Sequence, residues 1–123
     1  MSQQDYFFHE KKVVPIDKAI KFETELYRAA GMSEADARCV ADALVDADAR
    51  GVYSHGIQRN SLYLNRFEKG GTSPTARPET VKQFGATALV DGNNAMGMVV
   101  SKYGMELAID LAKKFGTSAV SIT

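Results

Sequence analysis

The strongest periodic signal in the chain runs from about Gly97 to Phe115, where Val100, Tyr103, Leu107, Ala108, Leu111 and Phe115 share one stripe and Gly116 supplies a stop. Short β-compatible runs lie on both sides of it. TVKQF at 80–84 and TALVD at 87–91 are separated by Gly85 and Ala86 in the manner of a hairpin, and SAVSIT at 118–123 alternates like a strand. A long amphipathic helix between strands commits this half of the chain to an α/β fold. The last strand ends the sequence without a turn residue, which points to the front part of a longer protein. Closure of a small sheet by that strand is the competing expectation.

The first half reads as helical. From Asp17, the residues Ala19, Ile20, Phe22, Leu26, Tyr27 and Ala30 recur at threes and fours, and Gly31 breaks the run. SEAD at 33–36 has the form of a capping box, with Ser33 accepting from the amide three residues on and Asp36 reaching back to the amide of Ser33. A second helix follows to about Arg50, with Ala35, Cys39, Val40, Ala43, Leu44 and Ala47 inward, and Gly51 ends it in a left-handed conformation. A third helical pattern runs from GVYSHGIQR through LYLNRFEKGG to Gly70 and Gly71, and the proline-punctuated TSPTARPE then connects to the strands. The first dozen residues read as an arm or short strand, with His9 as a surface or packing histidine.

Composition removes several function classes. Lysine plus arginine number 15 and aspartate plus glutamate 15, with no basic block of the kind that marks a nucleic-acid footprint. No apolar run reaches the roughly 18 residues of a membrane span, and the start lacks the apolar stretch of a signal peptide, so a cytoplasmic location is expected. The single cysteine, Cys39, has no internal disulfide partner and reads as a small side chain buried in a helix. No acidic or histidine pair has metal-binding spacing.

Chemistry concentrates in the third helical pattern. If residues 54 to 68 form one α-helix, turning about 100° per residue, then His55, Arg59, Tyr63 and Arg66 fall within an arc of roughly 80°. Ile57, Leu64 and Phe67 fall on the opposite side, although Leu62 intrudes on the polar stripe. Histidine exchanges a proton near neutral pH, and arginine offers a planar fork that holds a carboxylate through two parallel hydrogen bonds. Ser54 serves either as the N-cap or as a group facing a ligand. A solvated helix face is the competing reading of the whole stripe. DGNNAMG at 91–97 reads as a plain turn before a helix, with anion binding by free amides as the lesser alternative, and it carries neither GxGxxG nor a P-loop.

The segment VADALVDADARGVYSHGIQRNSLYLNRFEKGG resembles the malate/L-lactate dehydrogenase family, the non-Rossmann type that also includes ureidoglycolate, sulfolactate and diketogulonate dehydrogenases. The family pattern ADxxGxxSHGxxR, followed by a tyrosine, is matched here by Ala47, Asp48, Gly51, Ser54, His55, Gly56, Arg59 and Tyr63. The likeness continues through the glycine pair, VDGNNAMG and AKKFG. It implies an NAD- or NADP-dependent, homodimeric oxidoreductase that interconverts small 2-hydroxy and 2-oxo acids. His55 would be the acid that protonates the carbonyl oxygen and Arg59 the group that holds the substrate carboxylate, with Ser54 and Tyr63 as pocket neighbours. Residues 1–75 would form a helical region carrying SHGxxR, and 76–123 the incomplete start of a central α/β domain. Because the family's cofactor region would lie outside this chain, the chain alone is expected to be inactive. A non-enzymatic helical interaction module is the alternative.

Overall fold

The computed structural model describes residues 13–123, so the aromatic and polar start of the chain, with His9, lies outside the described residues. The order is α1 (Ile16–Ala29), α2 (Glu34–Ala49), two 3-10 turns (Tyr53–His55 and Ile57–Arg59), α3 (Asn60–Glu68), β1 (Glu79–Phe84), β2 (Thr87–Asp91), α4 (Gly97–Phe115) and β3 (Ala119–Ile122). The expected α/β class is therefore observed, as a helical part joined to a small sheet.

Gly31 ends α1 with φ 101° and Gly51 ends α2 with φ 78°, a region that favours glycine, so both stops act as expected. Ser33 caps α2 by accepting from the Asp36 amide. The second half of the capping box differs from expectation. The Asp36 carboxylate accepts from the Ser33 hydroxyl at 2.8 Å rather than from the Ser33 amide, and it also pairs with Arg77 at 3.1 Å. An aspartate is one methylene shorter than the glutamate that closes such a box, so the nearer hydroxyl takes its place.

The core is built where the helices meet the start of α4. Tyr27, Met32, Ala37, Val40, Leu44, Met96 and Val99 form one buried cluster, with Tyr63, Leu64, Phe67 and Met98 packed against it. Tyr27 and Phe67 meet edge to face with ring centroids 6.3 Å apart. The faces turn somewhat from the expected ones. On α1 Phe22 is 62 % exposed, while the acid Glu23 is buried beside Tyr27. On α2 Ala35 and Ala43 are exposed, whereas Ala37, Ala41 and Val45 are buried. Phe115, expected on the inner stripe of α4, is 45 % exposed, with the Lys114 ammonium over its ring. Short apolar side chains fit either side of a helix edge, so periodicity alone sets the stripe only to within about one residue.

The strands follow the order β1-β2-β3. β1 and β2 form an antiparallel hairpin across Gly85 (φ 53°), with a bulge at Val81, and β3 returns through α4 to pair parallel with β2. Ala88 and Val90 of β2 are buried, as are Val99, Val100, Gly104 and Leu111 of α4. Gly104 permits close approach to β3, since a β-carbon there would lie 2.7 Å from Ile122 Cδ1. Among the described residues no helix is long and apolar enough to cross a membrane.

Candidate active site

Residues 54 to 68 do not form one α-helix. Gly56 is extended (φ −91°, ψ −155°), which divides the stretch into the two 3-10 turns before α3 begins at Asn60. The physical reason is the last turn of α2. There the Asp48 carboxylate accepts from the Ile57 amide at 2.9 Å, and a β-carbon on Gly56 would fall 1.8 Å from Asp48 Oδ1. Only a residue without a side chain lets that carboxylate reach the following amide. The spacing of Asp48, Gly51 and Gly56 thus has a mechanical origin: Gly51 turns the chain back and Gly56 admits Asp48.

The loop nevertheless brings three of the expected residues together. Ser54 Oγ lies 2.9 Å from His55 Nδ1, and Arg59 Nε donates to the Ser54 carbonyl at 2.5 Å. Serine, histidine and arginine are joined by hydrogen bonds rather than by a shared helix face. Ser54 is not the side-chain cap of a helix, because the turn at Tyr53–His55 has none. When Ser54 donates to Nδ1, the imidazole carries its proton on Nε2 and presents it outward. Ser54 and His55 are exposed and Arg59 is partly so, and among the described residues no carboxylate forms an ion pair with Arg59. With Nε engaged, the two Nη groups remain as a fork for an anion.

Tyr63 stands apart from this cluster. It is half-buried against the core beside Tyr27, and among the described residues it makes no side-chain hydrogen bond to Ser54, His55 or Arg59. Arg66 is exposed, and its carbonyl accepts from Gly71 at the helix end.

Beneath the cluster lies a polar layer that the periodicity did not single out. Asn60 Nδ2 donates to both oxygens of Glu23 at 2.9 Å, and Asn60 Oδ1 accepts from the Tyr27 hydroxyl at 2.9 Å. Burial raises the Glu23 pKa from its ordinary value, the hydrogen bond from Asn60 opposes that shift, and the Asp48 charge reinforces it. The Tyr27 phenol is likewise pushed up by burial, then by the charge of Glu23. A signal for Glu23 was available, since it sits four residues from both Ala19 and Tyr27, on the inner stripe of α1. An acid on an apolar stripe needs an internal donor.

Other candidates fall away. In the turn at 91–97 three amides are engaged: Gly92 donates to the Thr123 carbonyl, Asn93 to Asp91 Oδ1 and Ala95 to the Gly92 carbonyl. Cys39 is half-buried, with its thiol 3.8 Å from the Met98 carbonyl, and burial pushes its pKa up, away from nucleophilic use. Among the described residues no group of three or more histidine, cysteine or acidic side chains is placed to hold a metal ion. An open groove of about 1010 Å³ lies between α1 and α2 and is lined by Ile20, Thr24, Arg28 and Arg38 rather than by the His55 cluster.

Comparison with known proteins gives a consistent picture. The profile of the family described as malate/L-lactate dehydrogenase matches residues 14–123. The chain is 41% identical over 113 residues to an L-sulfolactate dehydrogenase of Methanocaldococcus jannaschii, covering 92% of this chain and 30% of that protein. It is 34% identical over 122 residues to a malate dehydrogenase of Pyrococcus abyssi, covering 99% of this chain and 34% of that one. Among solved structures, malate dehydrogenase from Entamoeba histolytica superposes with a TM-score of 0.87 at 39% identity, covering 92% of this chain and 32% of that chain. The chain therefore spans about a third of the length of the relatives it matches.

Proposed function

Since the chain belongs to the malate/L-lactate dehydrogenase family, we propose that it supplies the substrate-side groups of an oxidoreductase that interconverts small 2-hydroxy and 2-oxo acids. The observation that carries this reading is the hydrogen-bonded cluster of Ser54, His55 and Arg59. In this reading the two Nη groups of Arg59 hold the substrate carboxylate by two parallel bonds, which directs the 2-oxo group toward the imidazole. Ser54 Oγ, accepting from Nδ1–H, holds the ring so that the second proton of the imidazolium sits on Nε2. His55 transfers that proton to the carbonyl oxygen as negative charge develops there, and takes one from the hydroxyl in the reverse direction. Tyr63, half-buried against the core beside Tyr27, is given a place in the pocket wall outside the hydrogen-bonded cluster.

Reduction also needs a hydride donor at the carbon. NAD or NADP is the proposed source, its binding region lying largely outside this chain, in keeping with the family resemblance. The names of the relatives, which act on malate, sulfolactate and ureidoglycolate, support a small carboxylate substrate. On this assignment the chain alone has no activity.

The test is steady-state reduction of oxaloacetate, pyruvate and sulfopyruvate by the complete protein that carries this sequence. His55→Ala is expected to lower kcat by at least about 100-fold, the contribution usual for a general acid. Arg59→Ala is expected chiefly to raise KM. Unchanged kinetics in both variants would exclude these roles and favour an interaction module.

A further inference from the structure

Glu23 is 1 % exposed, and both its oxygens face a neutral amide, Asn60, rather than a cation. Burying a carboxylate on that footing costs stability, which an apolar side chain of similar size in the core would not. What the acid holds is the junction between the interior and the exposed loop. Asn60 is the first residue of α3, it follows Arg59 directly, and the start of this helix has no side-chain cap. A helix of nine residues is too short to hold itself, so its first turn takes its position from its anchors. Tyr63, Leu64 and Phe67 pack farther along α3. At its first residue the anchor is Asn60, gripped on one side by Glu23 and on the other by the Tyr27 hydroxyl.

We propose that Glu23, acting through Asn60, is a positioning residue for Arg59, and that it sets where the guanidinium stands relative to Ser54 and His55. The proposal rests on the assignment of Arg59 to the substrate carboxylate. Through the bond from Arg59 Nε to the Ser54 carbonyl, the same anchor reaches the serine that faces the imidazole. A merely structural Glu23–Asn60 pair would hold α1 against α3 without any effect particular to Arg59.

A reciprocal exchange in the complete protein separates these cases. Asn60→Asp sets two carboxylates against each other, whereas Glu23→Gln combined with Asn60→Asp restores an amide-to-carboxylate hydrogen bond with its direction reversed. Two readouts are taken: the Arg59 Nε–H resonance by NMR, which needs no activity, and KM and kcat for a 2-oxo acid. Asn60→Asp is expected to shift or broaden the Arg59 resonance and to raise KM about tenfold with kcat within about threefold, and the paired exchange to return both close to wild type. If Asn60→Asp does not fold, the paired exchange decides alone, by a wild-type-like Arg59 resonance and KM. The proposal is overturned by a folded Asn60→Asp protein with an unmoved Arg59 resonance, or by a paired exchange that fails to fold or to restore it. Failure of the functional assignment looks different: wild type then reduces no 2-oxo acid, and the resonance still decides the positioning role.

Discussion

The Asp48 carboxylate occupies the space in which Gly56 would carry a side chain. An ideal β-carbon there would lie 1.8 Å from Oδ1, while Oδ2 accepts from the next amide, that of Ile57. Helix α2 and the His55 loop are thereby locked together through a single side chain.

Gly56→Ala is accordingly expected to eject the carboxylate from its seat and destabilise the fold by about 1–3 kcal/mol, through a lost hydrogen bond and a displaced side chain. Asp48→Ala removes the obstacle. The double variant should therefore be less destabilised than the sum of the singles, as measured by urea unfolding. Simple additivity would mean that the two residues do not share this seat.

Glu23 makes stability depend on pH in a definite direction. Its native pKa lies above the ordinary 4.5, chiefly because of burial, so the folded state holds this proton more tightly than the unfolded chain does. The favourable contribution is complete below 4.5 and is lost as pH rises through the raised native value. The stability of wild type relative to Glu23→Gln should fall over that rise, followed by urea unfolding at a series of pH values. A difference that stays flat would show that Glu23 titrates as it does in the unfolded chain.

The Ser33 hydroxyl makes three hydrogen bonds, accepting from the Asp36 amide and from Arg77 Nη2 and donating to the Asp36 carboxylate. Ser33→Ala should cost about 1 kcal/mol through the cap, the contact with the exposed Arg77 adding little. Ser33→Thr, which keeps a hydroxyl that can both cap and donate to Asp36, should recover most of the loss in thermal unfolding.

Gly104→Ala sets two effects of similar size against each other. Alanine in the middle of a helix gains about 1 kcal/mol over glycine, while the new methyl meets Ile122 Cδ1 at 2.7 Å and forces that flexible end aside at a cost of about 0.5–1.5 kcal/mol. The single variant should be nearly neutral. Adding Ile122→Val, which removes the obstructing carbon, should make Gly104→Ala clearly favourable in that background.

Much of the fold could be read from residue order because it is written in local chemistry. Gly31, Gly51, Gly85 and Gly116 all adopt positive φ where the sequence marked stops and a turn, and the α4 stripe holds at Val100 and Leu111. Of the residues grouped as the candidate site, three are hydrogen-bonded to one another, but by a geometry different from the expected one. Ser54, His55 and Arg59 do meet, yet the helical wheel that grouped them fails at Gly56 because Asp48, eight residues earlier, overrides the local preference. Tyr63, placed on the same wheel, points to the core instead. The Glu23–Asn60–Tyr27 layer spans up to 37 residues, and periodicity sees only near neighbours along one element. It needed the fold to become visible.

The lock between Asp48 and the loop also makes α2 a lever. Sixteen helical residues rise about 24 Å, so a tilt of only about 5° about the far end would carry Asp48 roughly 2 Å, more than a hydrogen bond tolerates. A smaller tilt, within what that bond tolerates, would carry the His55 loop along with the helix through Asp48.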